Sequence, residues 1–403
     1  MVLSEKLKNN KYLILTLLFA LLNVGAIFLI FGFQLRGDSQ SWIDTVHWFQ
    51  GREVEVSPIR IIRPLGPLIA VPFEFLGNGA GLVVQNIIFY LLGALLIFKI
   101  TELIYHDKNL ASSENLDSSK IKKQAFLTSL FFIISPTIIQ YGLAYLVDTG
   151  AWFFNLLSIF ITLVYFYPVK SDKVGAEQFN RVKNKDERLI ILNGFLSGMG
   201  VLLKENGGLG ILFFGMMVLL SKEFGIRDKI SRIIRFGVFF VIPIAIVQIL
   251  TFKYLHFTYL DLYAAGGAAT RGSSLFLIVL EYLGQFFGVL GILWVFFFIG
   301  LRRELLEKDK ERTKIYLALI LPSFSFLLWS IEAGSRLLFI FAPLGMLLAT
   351  KGLVFSAEKL GKKRGFLMIV ALFLIVLILN YTFSWLNPRY QFVEIVARFL
   401  GIL

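Results

Sequence analysis

Apolar runs close to twenty residues long recur from one end of this chain to the other, and that recurrence leaves room for one class of fold. A helix rises about 1.5 Å per residue, so about 20 apolar residues cross a hydrocarbon layer of about 30 Å. Eleven stretches approach that length: residues 12–33, 81–104, 124–140, 149–167, 189–203, 207–220, 236–255, 274–301, 315–331, 336–355 and 365–385. The pattern predicts an all-α polytopic membrane helical bundle of about eleven transmembrane helices. It occupies residues 1–403 as a single integral membrane domain. Composition agrees, with 57% apolar and 17% charged residues and a mean hydropathy of +0.75, against about 45–50% and about 25% in soluble chains. A soluble enzyme is excluded. The chain has no cysteine and only three histidines, which removes thiol nucleophiles, thiolate zinc sites and iron–sulfur clusters.

Lys and Arg fix the expected orientation, because they are retained on the cytoplasmic side during insertion. With the N-terminus inside, residues 1–11, 105–123, 168–188, 221–235, 302–314 and 351–364 carry 29 of the 40 basic residues. The net charge of +13 is thereby explained by topology and membrane lipid headgroups, and no nucleic-acid partner is implied. The first apolar stretch is about twice as long as a signal-peptide core and lacks a small-x-small cleavage pattern, so it is expected to stay as a span.

Several segments depart from plain spans. Residues 34–66 form the first outer loop. Within it Trp42, Ile43, Val46 and Phe49 share one helical side opposite Gln40, Asp44 and His47, the pattern of an amphipathic juxtamembrane helix in the headgroup plane. Residues 63–72 are apolar but contain three prolines, which suits a re-entrant or interfacial piece. Residues 189–203 and 207–220 are too short to cross, so the tip Lys204-Glu205-Asn206 is expected to be sunken. Residues 256–273 make a second outer loop and 387–403 a C-terminal interfacial segment.

Ionisable groups at membrane depth cost several kcal/mol unless paired or hydrated, and so mark candidate sites. The outer half gathers Asp38, Asp44, Arg60, Arg63, Asp148, Lys204, Glu205, Glu332 and Arg336, with Asp261 and Arg271 in the second outer loop. Mixed cations and carboxylates suit an anionic ligand and a proton acceptor. Asp38 begins the amphipathic helix and Asp148 begins a span; each reads either as an N-cap or as a general base for an acceptor hydroxyl. If the two converge, one takes the proton while the other orients the acceptor or holds a cation. Asp44 reads as a solvated or acceptor-facing carboxylate. Arg63, Lys204 and Arg336 are candidates for a phosphate, with snorkelling to headgroups the alternative for Lys204 and Arg336. Glu205 is a candidate structural partner of Lys204. No Rossmann or Walker glycine motif is present, so an activated substrate has to arrive without a nucleotide-binding module, most simply dissolved in the bilayer.

Four stretches carry a family resemblance: Gly37-Asp38-Ser39, Arg63-Pro64-Leu65-Gly66-Pro67-Leu68, Leu146-Val147-Asp148-Thr149 and Ser335-Arg336-Leu337-Leu338-Phe339-Ile340-Phe341-Ala342-Pro343. In order and side they resemble the GT-C superfamily of polytopic glycosyltransferases, particularly the branch of protein O-mannosyltransferases and the lipid A aminoarabinose transferase. The resemblance implies transfer of a sugar from a polyprenyl-phosphate donor to a glycan, lipid or protein hydroxyl on the non-cytoplasmic face. It implies catalytic roles for Asp38 and Asp148, donor-phosphate contacts from Arg63, Lys204 and Arg336, and inversion at the sugar. Ser39 stands where many members carry a second acidic residue, so a divalent metal is neither indicated nor excluded and any cofactor is unassigned. Tyr259, Asp261 and Tyr263 are read as a cover over the acceptor. Two other classes fit the same spans: a transporter or flippase for a lipid-linked or anionic substrate, and a non-catalytic lipid-binding scaffold.

Overall fold

The computed structural model describes residues 10–33, 35, 38–106, 118–167, 177–261, 286–325 and 339–386. Among them there is no strand; the chain is a bundle of helices. In order these are α1 (Lys11–Phe31), α2 (Ser39–Phe49), α3 (Pro58–Ile61), α4 (Leu65–Ala70), α5 (Ala80–His106), α6 (Ser118–Ile133), α7 (Asp148–Phe166), α8 (Glu177–Val201), α9 (Gly210–Leu220), α10 (Ile226–Leu255), α11 (Trp294–Glu307), α12 (Lys310–Phe324), α13 (Ala342–Lys359) and α14 (Lys362–Leu386). Seven described helical stretches are long and apolar enough to cross a membrane, by length and composition.

Three of the other four expected spans are broken or short, each for a local reason, while residues 189–203, expected to be too short to cross, supply the C-terminal part of the 25-residue α8. Residues 124–140 do not form one helix: α6 stops at Ile133, ahead of Pro136, and a π-helical turn follows over Ile138–Gly142, since proline supplies no N–H and clashes with the preceding turn. Residues 189–203 and 207–220 make a hairpin in which α9 has only 11 residues, about 16 Å of helix. The span expected over 315–331 is described only as α12, which carries Pro322 near its end; residues 326–338 lie outside the described residues.

Buried side-chain amides satisfy the backbone freed by the break at Pro136. Asn23 of α1 donates to the Ile133 carbonyl (3.1 Å) and Asn380 of α14 to that of Ile134 (2.7 Å). Further along, Asn86 of α5 donates to the carbonyls of Ala144 (2.7 Å) and Leu146 (2.8 Å), and the Thr149 hydroxyl donates to Gly142 (2.6 Å). Irregular backbone inside a membrane bundle persists only where such partners exist. The result is a rigid entry into α7, whose first residue is Asp148.

Close approach of backbones holds the bundle at two crossings. A Cβ on Gly300 would lie 1.9 Å from the Leu348 carbonyl oxygen, and one on Gly352 1.9 Å from that of Phe296, so α11 and α13 touch main chain to main chain. Small residues permit this contact, which replaces the hydrophobic driving force missing between helices in lipid. The same device closes the α8–α9 hairpin, where Gly200 and Gly207 face each other's carbonyl oxygens at 2.4 Å from an added Cβ.

Candidate functional site

The hairpin between α8 and α9 ends in a one-turn 3-10 helix, Glu205–Gly208, with Asn206, Gly207 and Gly208 buried. Lys204 precedes it in extended conformation (φ −165°, ψ 149°), and extended backbone sends successive side chains to opposite sides. Lys204 therefore does not pair with its neighbour Glu205, one of the alternatives the sequence left open. Its ammonium binds the Asp148 carboxylate at the start of α7, while Glu205 binds the Arg63 guanidinium. Both pairs are shielded: Asp148 is 2% exposed and Lys204 16%, Arg63 13% and Glu205 15%. Lys204 is thus not snorkelling, and Asp148 is the first residue of α7, after Val147 at the N-cap position.

Arg63 reaches this tip because its segment is fastened to the hairpin. The Leu65 amide donates to the Leu202 carbonyl (3.2 Å), and a Cβ on Gly66 would strike Val147 at 2.5 Å and Leu203 at 3.3 Å. The proline-rich stretch is α4 followed by a 3-10 turn over Val71–Leu76. Tyr259, expected as an acceptor cover, sits instead on the same tip: its hydroxyl donates to the Val201 carbonyl at 3.2 Å and interacts with Arg63. Asp261 is taken up locally. It accepts the Thr258 hydroxyl and amide, each at 2.7 Å, and these bonds hold its carboxyl below the usual range.

Asp38 occupies the N-cap position of α2 without a side-chain cap bond. Its carboxylate, 43% exposed, pairs instead with Arg60 at 3.0 Å. Arg60 in turn lies over the Trp42 ring at 4.8 Å and donates to the Ser41 hydroxyl at 3.3 Å. The apolar side of α2 is covered by protein rather than laid bare for headgroups: Trp42 is 2% exposed and Val46 is fully buried. Asp44 accepts a bond from Gln40 at 2.8 Å, one turn earlier on the exposed side. Arg336, Tyr263 and the segment 387–403 lie outside the described residues.

Three further buried acids, Glu74, Glu304 and Asp309, were not singled out from the sequence. Glu74, buried in its 3-10 turn, accepts the amides of Gly79 and Gly81 (the latter at 2.9 Å) and faces His47 Nε2 at 3.5 Å. It anchors the N-terminus of α5, where a negative charge is favoured. A lone Glu within the apolar run Val71–Leu76 was the available signal. The second is Glu304, which binds Lys351 and, at 3.4 Å, Arg312. Among the described residues no three His, Cys, Asp or Glu side chains converge as a metal site. Asp38 and Asp148 each face a cation, so the donor set present does not suit a divalent ion.

No protein-family model matches the chain, and no curated protein matches it. Solved structures do. The archaeal oligosaccharyltransferase AglB from Archaeoglobus fulgidus, in complex with an inhibitory peptide and a dolichol-phosphate, is similar with a TM-score of 0.59 at 13% identity, over 97% of this chain and 56% of that one. The Archaeoglobus fulgidus oligosaccharyltransferase tethered with an acceptor peptide containing the NVT sequon gives a TM-score of 0.55 at 14% identity, over 96% of this chain and 55% of that one. The chain spans a little over half the length of these proteins. The likeness is one of fold, and it does not reach the narrower branch that the motifs resemble. The chain is an all-α, multi-pass membrane protein of the GT-C fold.

Proposed function

We propose that this chain is a membrane glycosyltransferase that moves a sugar from a polyprenyl-phosphate donor to a hydroxyl on a glycan, lipid or protein at the non-cytoplasmic face. The observation that carries the reading is the meeting of two shielded long-range ion pairs, Arg63–Glu205 and Lys204–Asp148, on one buried hairpin tip. Such pairs contribute little net stability, since desolvation offsets most of their attraction. What they provide is two cations held ready in a low-dielectric place. A protein of the same fold is seen with dolichol-phosphate, and another with an acceptor peptide, which supports the donor and acceptor classes. The narrower tie to the O-mannosyltransferase and aminoarabinose-transferase branch rests on the four motifs.

In the proposed reaction, donor phosphate oxygens replace Glu205 on Arg63 and share Lys204 with Asp148. As the glycosidic C–O bond to phosphate breaks, negative charge grows on the lipid phosphate and these cations stabilise it. The acceptor oxygen forms the new bond to the anomeric carbon, and its proton passes to Asp38. Arg60 holds the Asp38 carboxylate in place, and the exposure of that carboxylate lets an acceptor reach it. Asp148 acts as a positioning residue that aims Lys204. Attack from the face opposite the leaving phosphate inverts the anomeric centre.

The test is release of free prenyl phosphate by purified protein in bilayers supplied with prenyl-phosphate sugars. Release that Asp38→Asn abolishes, with donor binding intact, supports an enzyme. Absence of release together with counterflow of a labelled solute into proteoliposomes supports a transporter, and indifference to Asp38→Asn supports a scaffold.

A further inference from the structure

A cation drawn into a protein normally finds a carboxylate, because the cost of desolvating it has to be offset. The described arginines that are at least partly buried are Arg60, Arg63, Arg232, Arg303 and Arg312. Four of them hold acids: Arg60 pairs with Asp38, Arg63 with Glu205, Arg303 with Glu307, and Arg312 with Glu304, Glu307 and Asp309. Arg232 of α10 holds none among the described residues. Its guanidinium lies over the Phe224 ring at 4.0 Å and the Tyr165 ring at 5.5 Å, and its Nε is buried without a hydrogen-bond partner. The Tyr165 hydroxyl, on a residue 7% exposed, is likewise buried and unpartnered. Aromatic faces attract a cation but offer no lone pair to its N–H groups. The acids nearby are engaged or turned outward: Glu187 pairs with Arg235 at 2.5 Å, and Asp228, one turn before Arg232, is exposed and makes no ion pair with it. Lys229 and Arg235, three residues to either side, add positive charge on the same face, and the Lys229 ammonium donates to the Leu219 carbonyl at 2.8 Å.

We infer that Arg232 and Tyr165 form a site for a phosphate group, that of a membrane phospholipid, at the end of α7 away from Asp148. Tyr165 stands 17 residues after Asp148 in that helix, about 25 Å along its axis. Arg232 comes one turn before Phe236, where the apolar run of α10 opens, so its guanidinium stands at headgroup level. The next two residues, Ile233 and Ile234, are 36% and 58% exposed and offer aliphatic surface to acyl chains. A phosphate diester brings several acceptor oxygens and a negative charge, which suit a guanidinium fork and a phenol O–H together. A soluble phosphate makes the same bonds without the aliphatic contact.

The experiment adds phosphatidylglycerol, diacylglycerol or inorganic phosphate to the full-length protein in a maltoside detergent, which carries no phosphate, and reads the melting temperature across a titration. Phosphatidylglycerol raises it, diacylglycerol does not, and inorganic phosphate does so only weakly. Arg232→Met weakens phosphatidylglycerol binding about tenfold or more, as loss of charge-assisted hydrogen bonds requires. Tyr165→Phe weakens it by a smaller factor and keeps the melting temperature of the ligand-free protein. Arg227→Met, which removes an exposed arginine of the same helix, responds as wild type does. Equal affinity in wild type and Arg232→Met, or an equal loss in Arg227→Met, overturns the site. A response to inorganic phosphate as large as that to the lipid overturns the lipid as occupant. Where Arg232→Met does not fold, Arg232→Lys keeps the charge without the fork; unchanged affinity in both Arg232→Lys and Tyr165→Phe then overturns the site.

Discussion

The bundle carries a charged cluster at each end of α5, and the two are built on opposite plans. Asn86 ties α5 to the entry of Asp148, while Tyr105, 19 residues on and so about 28 Å away, meets Tyr316 at 2.5 Å and the Arg312 guanidinium. At that end Arg312 finds its carboxylates within eight residues in sequence, and Lys351 reaches in from 44 and 47 positions away. Asp309 caps α12 by accepting the amides of Glu311 and Arg312, and its other oxygen takes Arg312 Nε at 3.0 Å. Arg312 also binds Glu307 at 2.9 Å, and Lys351 of α13 joins at 2.6 Å from Glu307. This cluster fastens the turn between α11 and α12 to α13. At the Asp148 end the pairs join residues 56 and 142 positions apart, and the unpartnered Asn206 amide follows them in the turn. One end is centred on an arginine and its sequence neighbours; the other is built wholly from distant segments and leaves both ends of the Asn206 amide without a partner among the described residues.

That contrast separates stability from activity. Asp38→Asn is expected to lower the rate of transfer by about 10²–10⁴-fold, with the melting temperature unchanged because the side chain is half exposed; equal rates in the two proteins would remove Asp38 from the chemistry. Lys351→Met leaves Glu304 and Glu307 to Arg312 and takes one cation from the cluster, which should cost about 1–3 kcal/mol, seen as lost thermal stability with the rate per folded molecule unaltered. A changed rate there would tie the Arg312 end to catalysis. Arg63→Met destabilises by about 1–3 kcal/mol, and pairing it with Glu205→Met restores the melting temperature because both charges are gone. Transfer stays lost in the double variant; its return would show that Arg63 serves only the fold. Asp44→Asn, on an exposed turn of α2, should shift stability by less than about 0.5 kcal/mol and leave transfer as it was.

Most of the architecture was legible from hydrophobic length, because a span is a property of a contiguous run. The breaks were legible only in part. Pro136 sits in plain view inside 124–140, yet the partners that make its irregular backbone tolerable, Asn23 and Asn380, are more than a hundred residues away on either side. The short hairpin could be read from length, whereas the crossed pairing of Lys204 with Asp148 and Glu205 with Arg63 could not. It follows from an extended residue at the turn, which no periodicity announces. Asp38 was identifiable as a charge at the start of an amphipathic helix, but its partner Arg60 was one cation among several. Asn206 was legible only as part of the sunken tip, since a neutral amide becomes informative only when its surroundings fail to satisfy it.

The central claim is that the Arg63–Glu205 and Lys204–Asp148 pairs open to take an anionic lipid headgroup. Its most direct measurement compares equilibrium binding of prenyl phosphate and of the corresponding prenyl alcohol to wild-type protein and to Arg63→Met in the same bilayer. The account predicts that wild-type protein binds the phosphate much more tightly than the alcohol and that Arg63→Met erases the difference. Equal binding of phosphate and alcohol by wild-type protein would contradict it.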